Sequence, residues 1–116
     1  AKGYNPMDAG TVMDIDILRR SAKEAGRLMK ALSNPDRLLL MCQLAQGELR
    51  VGELEEIVGI VQPTLSQQLS VLREDGLVST RREGTAIYYR IDSEQALAVM
   101  AVLYEQFCDL SKRKKK

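Results

Sequence analysis

At 116 residues, 45% hydrophobic and 28% charged, the chain is sized for one folded domain with a single core, and its apolar content excludes a disordered polymer. A net charge of +1 means that nucleic-acid binding cannot be argued from bulk charge, so the distribution of charge carries that question. The chain has no histidine, which removes His-based zinc sites, Ser-His-Asp and Cys-His nucleophile pairs, and histidine pH switching; an enzyme is not expected, since no base partners either cysteine.

The N-terminal stretch Ala1-Lys2-Gly3-Tyr4-Asn5-Pro6 lacks a signal-peptide core, and no apolar run approaches the roughly 18 residues that span a bilayer. A cytoplasmic protein without membrane contact is expected, and its two cysteines are either buried thiols or a switch, because that compartment keeps thiols reduced.

Residues 1–12, of mixed polarity, read as a flexible leader, 13–110 as the folded domain, and 111–116 as a basic tail. From Ile15 the apolar spacing becomes regular: Ile15, Leu18, Ala22, Ala25, Met29 and Leu32 form the seam of an amphipathic helix. That seam packs either on the chain's own core or on a partner subunit, and its spacing does not separate the two. Ser33-Asn34-Pro35-Asp36 stops this helix and starts a second, with Asn34 as N-cap and Pro35 at the first position. Leu38, Leu39, Leu40, Met41, Cys42 and Leu44 mark that second helix as a core element. Gly47 ends it, Glu48-Leu49-Arg50 is suited to a very short strand, and Val51 to Val58 reads as a third helix closed by Gly59.

The eleven residues from Gln62 to Leu72 carry no charge and are crowded with amides and hydroxyls. As a helix with Pro63 at its first position, the segment aligns Leu65, Leu69 and Leu72 in one apolar stripe. Its other faces then offer Gln62, Thr64, Ser66, Gln67, Gln68 and Ser70. An exposed helix usually solubilises itself with Lys and Glu; one that presents amides and hydroxyls is suited to the donor and acceptor pattern of a DNA major groove. The plain alternative is a polar helix with an ordinary buried stripe. The third helix and this one, joined by a three- or four-residue turn containing glycine, form a helix-turn-helix.

Gly76 is a left-handed stop after Arg73-Glu74-Asp75. Leu77 to Glu83 and Ala86 to Ile91 flank Gly84-Thr85 as a hairpin, with Ile87, Tyr89 and Ile91 alternating against Tyr88 and Arg90. A hairpin after a recognition helix is a wing, and Arg81, Arg82 and Arg90 suit phosphate contact from it; ordinary surface arginines are the alternative. Asp92 and Gln95, at capping-box spacing, begin a last helix that is apolar on every side from Ala96 to Tyr104. So small a domain has trouble surrounding such a helix, and a symmetric dimer through the first and last helices is the economical solution. The fold expected is therefore mainly α with a small β-hairpin.

This element order, with Ala31-Leu32-Ser33-Asn34-Pro35-Asp36-Arg37 and Leu69-Ser70-Val71-Leu72-Arg73-Glu74-Asp75-Gly76-Leu77-Val78, resembles the arsenic-repressor/zinc-sensor family of bacterial winged-helix regulators. The resemblance implies a homodimeric repressor that leaves double-stranded operator DNA when an inducer is sensed. Gln68 stands where many relatives have histidine. The family's metal sites use a cysteine pair at the start of the third helix, which here reads Arg50-Val51-Gly52-Glu53-Leu54, or Asp and His ligands on the last helix; neither set is present, and no metal or cofactor is expected. Cys42 and Cys108 remain, similar to the redox- and persulfide-responsive branch that includes the biofilm growth-associated repressor type, which implies a redox pair. Two buried structural thiols, a thiophilic metal held by both, and a protein-binding winged-helix module are the alternatives.

Overall fold

The computed structural model describes residues 14–108. The expected leader over 1–12 and basic tail over 111–116 lie outside the described residues. Helix α1 (Ile15–Leu32) is capped by Asp14, whose carboxylate accepts from the Asp16 N–H at 2.8 Å, and it closes where the Ser33 hydroxyl donates to the Lys30 carbonyl at 2.7 Å. Asn34 caps α2 (Pro35–Leu44) by accepting from the Arg37 N–H at 3.1 Å, with Pro35 in the first turn as its missing donor predicts. The order continues β1 (Leu49–Arg50), α3 (Val51–Val58), α4 (Thr64–Glu74), β2 (Val78–Glu83), β3 (Ala86–Ile91) and α5 (Glu94–Leu103), and a π-helical turn, Tyr104–Cys108, extends α5.

Helices α2 and α4 meet at the centre. Leu40, Met41 and Leu44 of α2 pack with Leu65, Leu69 and Leu72 of α4, and these α4 leucines are 0%, 1% and 0% exposed. Leu54, Ile60, Leu77, Val78, Ala96 and Met100 complete the core. The wing is the edge of a three-stranded antiparallel sheet in the order β1-β3-β2, with Tyr89 facing both Leu49 and Thr80. This is the expected mainly helical winged helix-turn-helix, with β1 adding a third strand to the hairpin.

Several local expectations are corrected. Pro63 stands at the cap of α4, with φ −89° and ψ 0°, not at the first helical position. The first turn is held from further back: the Gln62 amide oxygen accepts from the Ser66 hydroxyl at 2.6 Å and from its N–H at 3.2 Å. The helix-turn-helix connection therefore runs over 59–63, longer than expected, and leaves α3 through Gly59 at φ +74°, a left-handed conformation that glycine adopts without a Cβ penalty. Asp92 does not cap α5, because its N–H is still tied to the Leu77 carbonyl at 2.9 Å; Ser93 takes the role, accepting from the Ala96 N–H at 3.0 Å.

Of the two readings left open for the α1 seam, packing on the chain's own core holds only at its C-terminal end. Of Ile15, Leu18, Ala22, Ala25, Met29 and Leu32, only Leu32 is buried, and α1 meets the core through Leu28, Ala31 and Leu32 at its C-terminal end. Most residues of α1 before Leu28 are exposed, although Arg27 reaches Asp75 at 3.7 Å. Consistent with that, the radius of gyration is 17.0 Å, against about 13 Å for a compact domain of this size.

The side of α4 that faces the core has a direct energetic test. Leu69→Ala is expected to cost about 2–5 kcal/mol in denaturant unfolding, whereas Ser70→Ala, on the exposed side, is expected to stay within about 0.5 kcal/mol.

Candidate nucleic-acid interface and thiol pair

With its leucine stripe inward, α4 turns Ser66, Gln67, Ser70 and Arg73 outward, all exposed; Thr64, in the first turn, is half-buried. Among the described residues, the side chains of Gln67, Ser70 and Arg73 have no hydrogen-bond or ion-pair partner, so their donors and acceptors face solvent. Gln62 is exposed but commits its amide oxygen to Ser66, which leaves its N–H₂ free to donate. Gln68 is different again. It is half-buried, and its oxygen accepts from Arg37 Nη1 at 2.9 Å. Arg37 also donates from Nε to the Ala31 carbonyl at 2.6 Å and from Nη2 to the Lys30 carbonyl at 3.3 Å, so one guanidinium ties the end of α1 to the recognition helix. A guanidinium only donates, which fixes which end of the Gln68 amide faces it. Arg37 lies within the family-like motif, but its spacing alone assigned it no partner.

The wing arginines occupy distinct environments. Arg81 is exposed but paired: Nε and Nη2 each lie 2.8 Å from the Glu48 carboxylate, Nη1 lies 3.2 Å from Glu83, and the guanidinium carbon sits 4.4 Å from the Tyr88 ring centroid. The hydrogen bond from Arg81 holds the Glu48 carboxyl below its usual range, helped by the charges of Arg81 and Arg90, although partial desolvation pushes the other way. Arg82, the next residue, is exposed and by strand alternation projects from the opposite sheet face; Arg90, exposed, is on the Arg81 side, across from Ser79.

The cysteines lie on α2 and at the end of the π-helical turn. Cys42 is half-buried against the core and Cys108 is exposed, and both are free thiols. Burial, and secondly the charge of a Cys108 thiolate, push the Cys42 thiol up from its ordinary value of 9.0. The charge of Cys108 therefore acts on Cys42 although the two residues are far apart in sequence. No group of three or more His, Cys, Asp or Glu side chains suited to a metal occurs among the described residues, and no described helix is long and apolar enough to cross a membrane.

Residues 34–80 match the model of the bacterial regulatory protein arsR family. The chain is 48% identical over 103 residues to the biofilm growth-associated repressor of Agrobacterium fabrum, covering 89% of this chain and 87% of that protein. Among solved structures it is similar to the transcriptional repressor BigR from Xylella fastidiosa, with a TM-score of 0.76 and 49% identity over 83% of this chain and 98% of that one. It is also similar to a homodimeric winged helix-turn-helix DNA-binding domain from Mycobacterium bovis, with a TM-score of 0.66 and 36% identity over 83% and 86% of the two chains.

A raised pKa keeps Cys42 protonated at neutral pH, so its reactivity and that of exposed Cys108 are expected to separate. In a time course with iodoacetamide read by mass spectrometry, Cys108 is labelled first, and the lag at Cys42 shrinks as pH rises past 9.0. Cys108→Ser removes the smaller of the two upward influences, which shifts the Cys42 labelling profile to lower pH without bringing it to the value of a free thiol.

Proposed function

The chain belongs to the arsR family of bacterial regulatory proteins and is a DNA-binding transcriptional regulator; from that premise we propose that it acts as a homodimeric repressor, released from its operator by oxidation of Cys42 and Cys108. The observation that carries the reading is the division of α4 into a fully buried leucine stripe and an uncharged outer face of amides and hydroxyls. In this reading Gln67 makes the donor-plus-acceptor contact that suits adenine, while Gln62, Thr64, Ser66 and Ser70 approach base edges or phosphates. Gln68 donates from its one free end, and Arg73, Arg82 and Arg90 supply charge to the DNA backbone.

Dimerisation is supported by apolar surface that a single subunit leaves uncovered. On α1, Ile15, Ile17 and Met29 are exposed; on α5 and the turn that follows, so are Leu97, Val102, Tyr104 and Phe107, the last to 66%. A symmetric pairing through these helices covers both sets and sets two recognition helices on one face, spaced for successive major grooves. The similarity to a homodimeric winged helix-turn-helix domain from Mycobacterium bovis supports a homodimer as such.

The switch is supported by two free thiols in electrostatic reach on the core helix and the dimer-facing helix. A thiolate of Cys108 attacks a polysulfide, the polysulfide S–S bond breaks, and the shortened polysulfide leaves with the electron pair, converting Cys108 to a persulfide. The Cys42 thiolate then attacks the Cys108 sulfur and expels hydrosulfide, forming the disulfide; each thiol proton passes to solvent. Bridging α2 to the end of α5 changes the angle between subunits, and the recognition helices no longer match the groove spacing. An effect of that kind corresponds to about 1–3 kcal/mol, a fall in affinity of roughly 5- to 150-fold.

Gel shifts with promoter DNA test both parts. Gln67→Ala is expected to lose about 1–3 kcal/mol of discrimination between operator and random DNA. Arg82→Ala weakens binding to all sequences and lowers the salt slope by about one. If Gln67→Ala binds both DNAs as the wild type does, α4 is not the reading element. Polysulfide lowers the affinity of the wild type, and Cys42→Ser or Cys108→Ser binds DNA but ignores polysulfide; a doubly substituted chain that still responds would sink the switch.

A further inference from the structure

Arg81 is exposed, its side chain to 47%, yet it is the wing arginine whose guanidinium is held by carboxylates, and that pairing points to a different role from that of its neighbours. Both oxygens of Glu48 receive a guanidinium N–H at 2.8 Å, in the parallel bidentate form that is the strongest geometry open to this pair. The remaining edge is taken by Glu83 at 3.2 Å, and one face lies on Tyr88 at 4.4 Å. Two carboxylates hold the N–H groups of this one guanidinium, and Arg90 adds its charge beside Glu48 on the same face. A phosphate approaching Arg81 therefore has to compete with carboxylates already in place.

The positions of the partners explain what the cluster holds. Glu48 immediately precedes β1, Arg81 is on β2, and Tyr88 is on β3, which lies between them and is register partner to both Arg50 and Arg81. The guanidinium spans the central strand and joins the two outer ones. Strand β1 has only two residues and leads directly into α3, the first helix of the helix-turn-helix, so a link from β2 to the start of β1 adds to the short β1–β3 pairing and the core contacts of Val78 in fixing the outer end of the wing relative to α3 and α4.

We infer that Arg81 is a positioning residue, clamped by Glu48 across Tyr88, which fixes the wing so that Arg82 and Arg90 meet the DNA backbone, and that Arg81 itself makes no phosphate contact. This inference rests on the DNA-binding reading for its consequence but not for the clamp itself.

The test compares Arg81→Ala, Glu48→Gln and the double variant, with Arg82→Ala as the phosphate-contact control. Affinity for promoter DNA is measured against salt concentration, and amide hydrogen exchange of β2 and β3 is measured without DNA. The clamp predicts that Arg81→Ala and Glu48→Gln weaken binding by a similar few-fold, that the double variant is little worse than either, and that the salt slope stays at the wild-type value while Arg82→Ala lowers it by about one. The direction for Glu48→Gln decides most. Removing a negative charge beside DNA tightens binding by electrostatics alone, so a loss of affinity reports lost positioning. Tighter binding by Glu48→Gln, or a slope lowered by about one in Arg81→Ala, overturns the inference and makes Arg81 a phosphate ligand. Without DNA, both single variants are expected to accelerate exchange in β2 and β3. Unchanged exchange refutes the clamp even if no variant binds DNA, whereas faster exchange with no salt-dependent binding by the wild type supports the clamp and refutes the DNA reading.

Discussion

The packing of α4 on α2 is the constraint from which the remaining features follow. Leu65, Leu69 and Leu72 are sealed against Leu40, Met41 and Leu44, and a helix sealed on one stripe has no rotational freedom about its axis. Turning α4 by even one position would bring a leucine into water and a glutamine or serine into the core, at a cost of several kcal/mol. The outward direction of Gln67, Ser70 and Arg73 is thus a consequence of core packing. Arg37 reinforces the arrangement from the other side, since it holds the Gln68 oxygen while anchored to the last carbonyls of α1.

A second consequence is the division of labour between elements. The core is closed by the C-terminal end of α1, by one side of α5 and by the inner face of the sheet, which leaves the outer faces of α1 and α5 apolar and uncovered. The recognition surface and the uncovered apolar surface are therefore on different elements, joined through α2. Cys42 lies on α2 and Cys108 just beyond α5, so both thiols are on elements other than α4 and its outer face. The wing follows a similar logic: its geometry depends on the cluster of Glu48, Arg81, Glu83 and Tyr88, and its free charge lies on Arg82 and Arg90.

Much of the fold was legible because its signals are local. The Asn34-Pro35 start of α2, the leucine stripe of α4, the stop at Gly76 and the alternation in β3 each depend on residues within a few positions of one another, where backbone preference and helical or strand period act directly. The errors arose where a remote partner decided the outcome. Asp92 has a capping side chain at suitable spacing, but its N–H is held by Leu77, fifteen positions earlier, and the cap moves to Ser93. Gln62 reads as a free amide, yet it closes the first turn of α4.

The sequence by its own local patterns determined the helices and strands, their order and the core-facing stripe of α4, because apolar period and capping chemistry are written over short distances, whereas the face that α1 turns to the core is not among them. It also determined which chemistries are absent, since a chain without histidine lacks those ligands and bases in any fold. Only the tertiary structure decided which polar side chains are free and which are spent. Arg81 and Arg82 are adjacent, chemically identical and both exposed, yet Arg81 is paired with Glu48, 33 positions away, and Arg82 has no such carboxylate among the described residues. Charge pairing depends on distances of a few ångströms between remote segments, and those distances exist only once the core has set the helices and sheet in place.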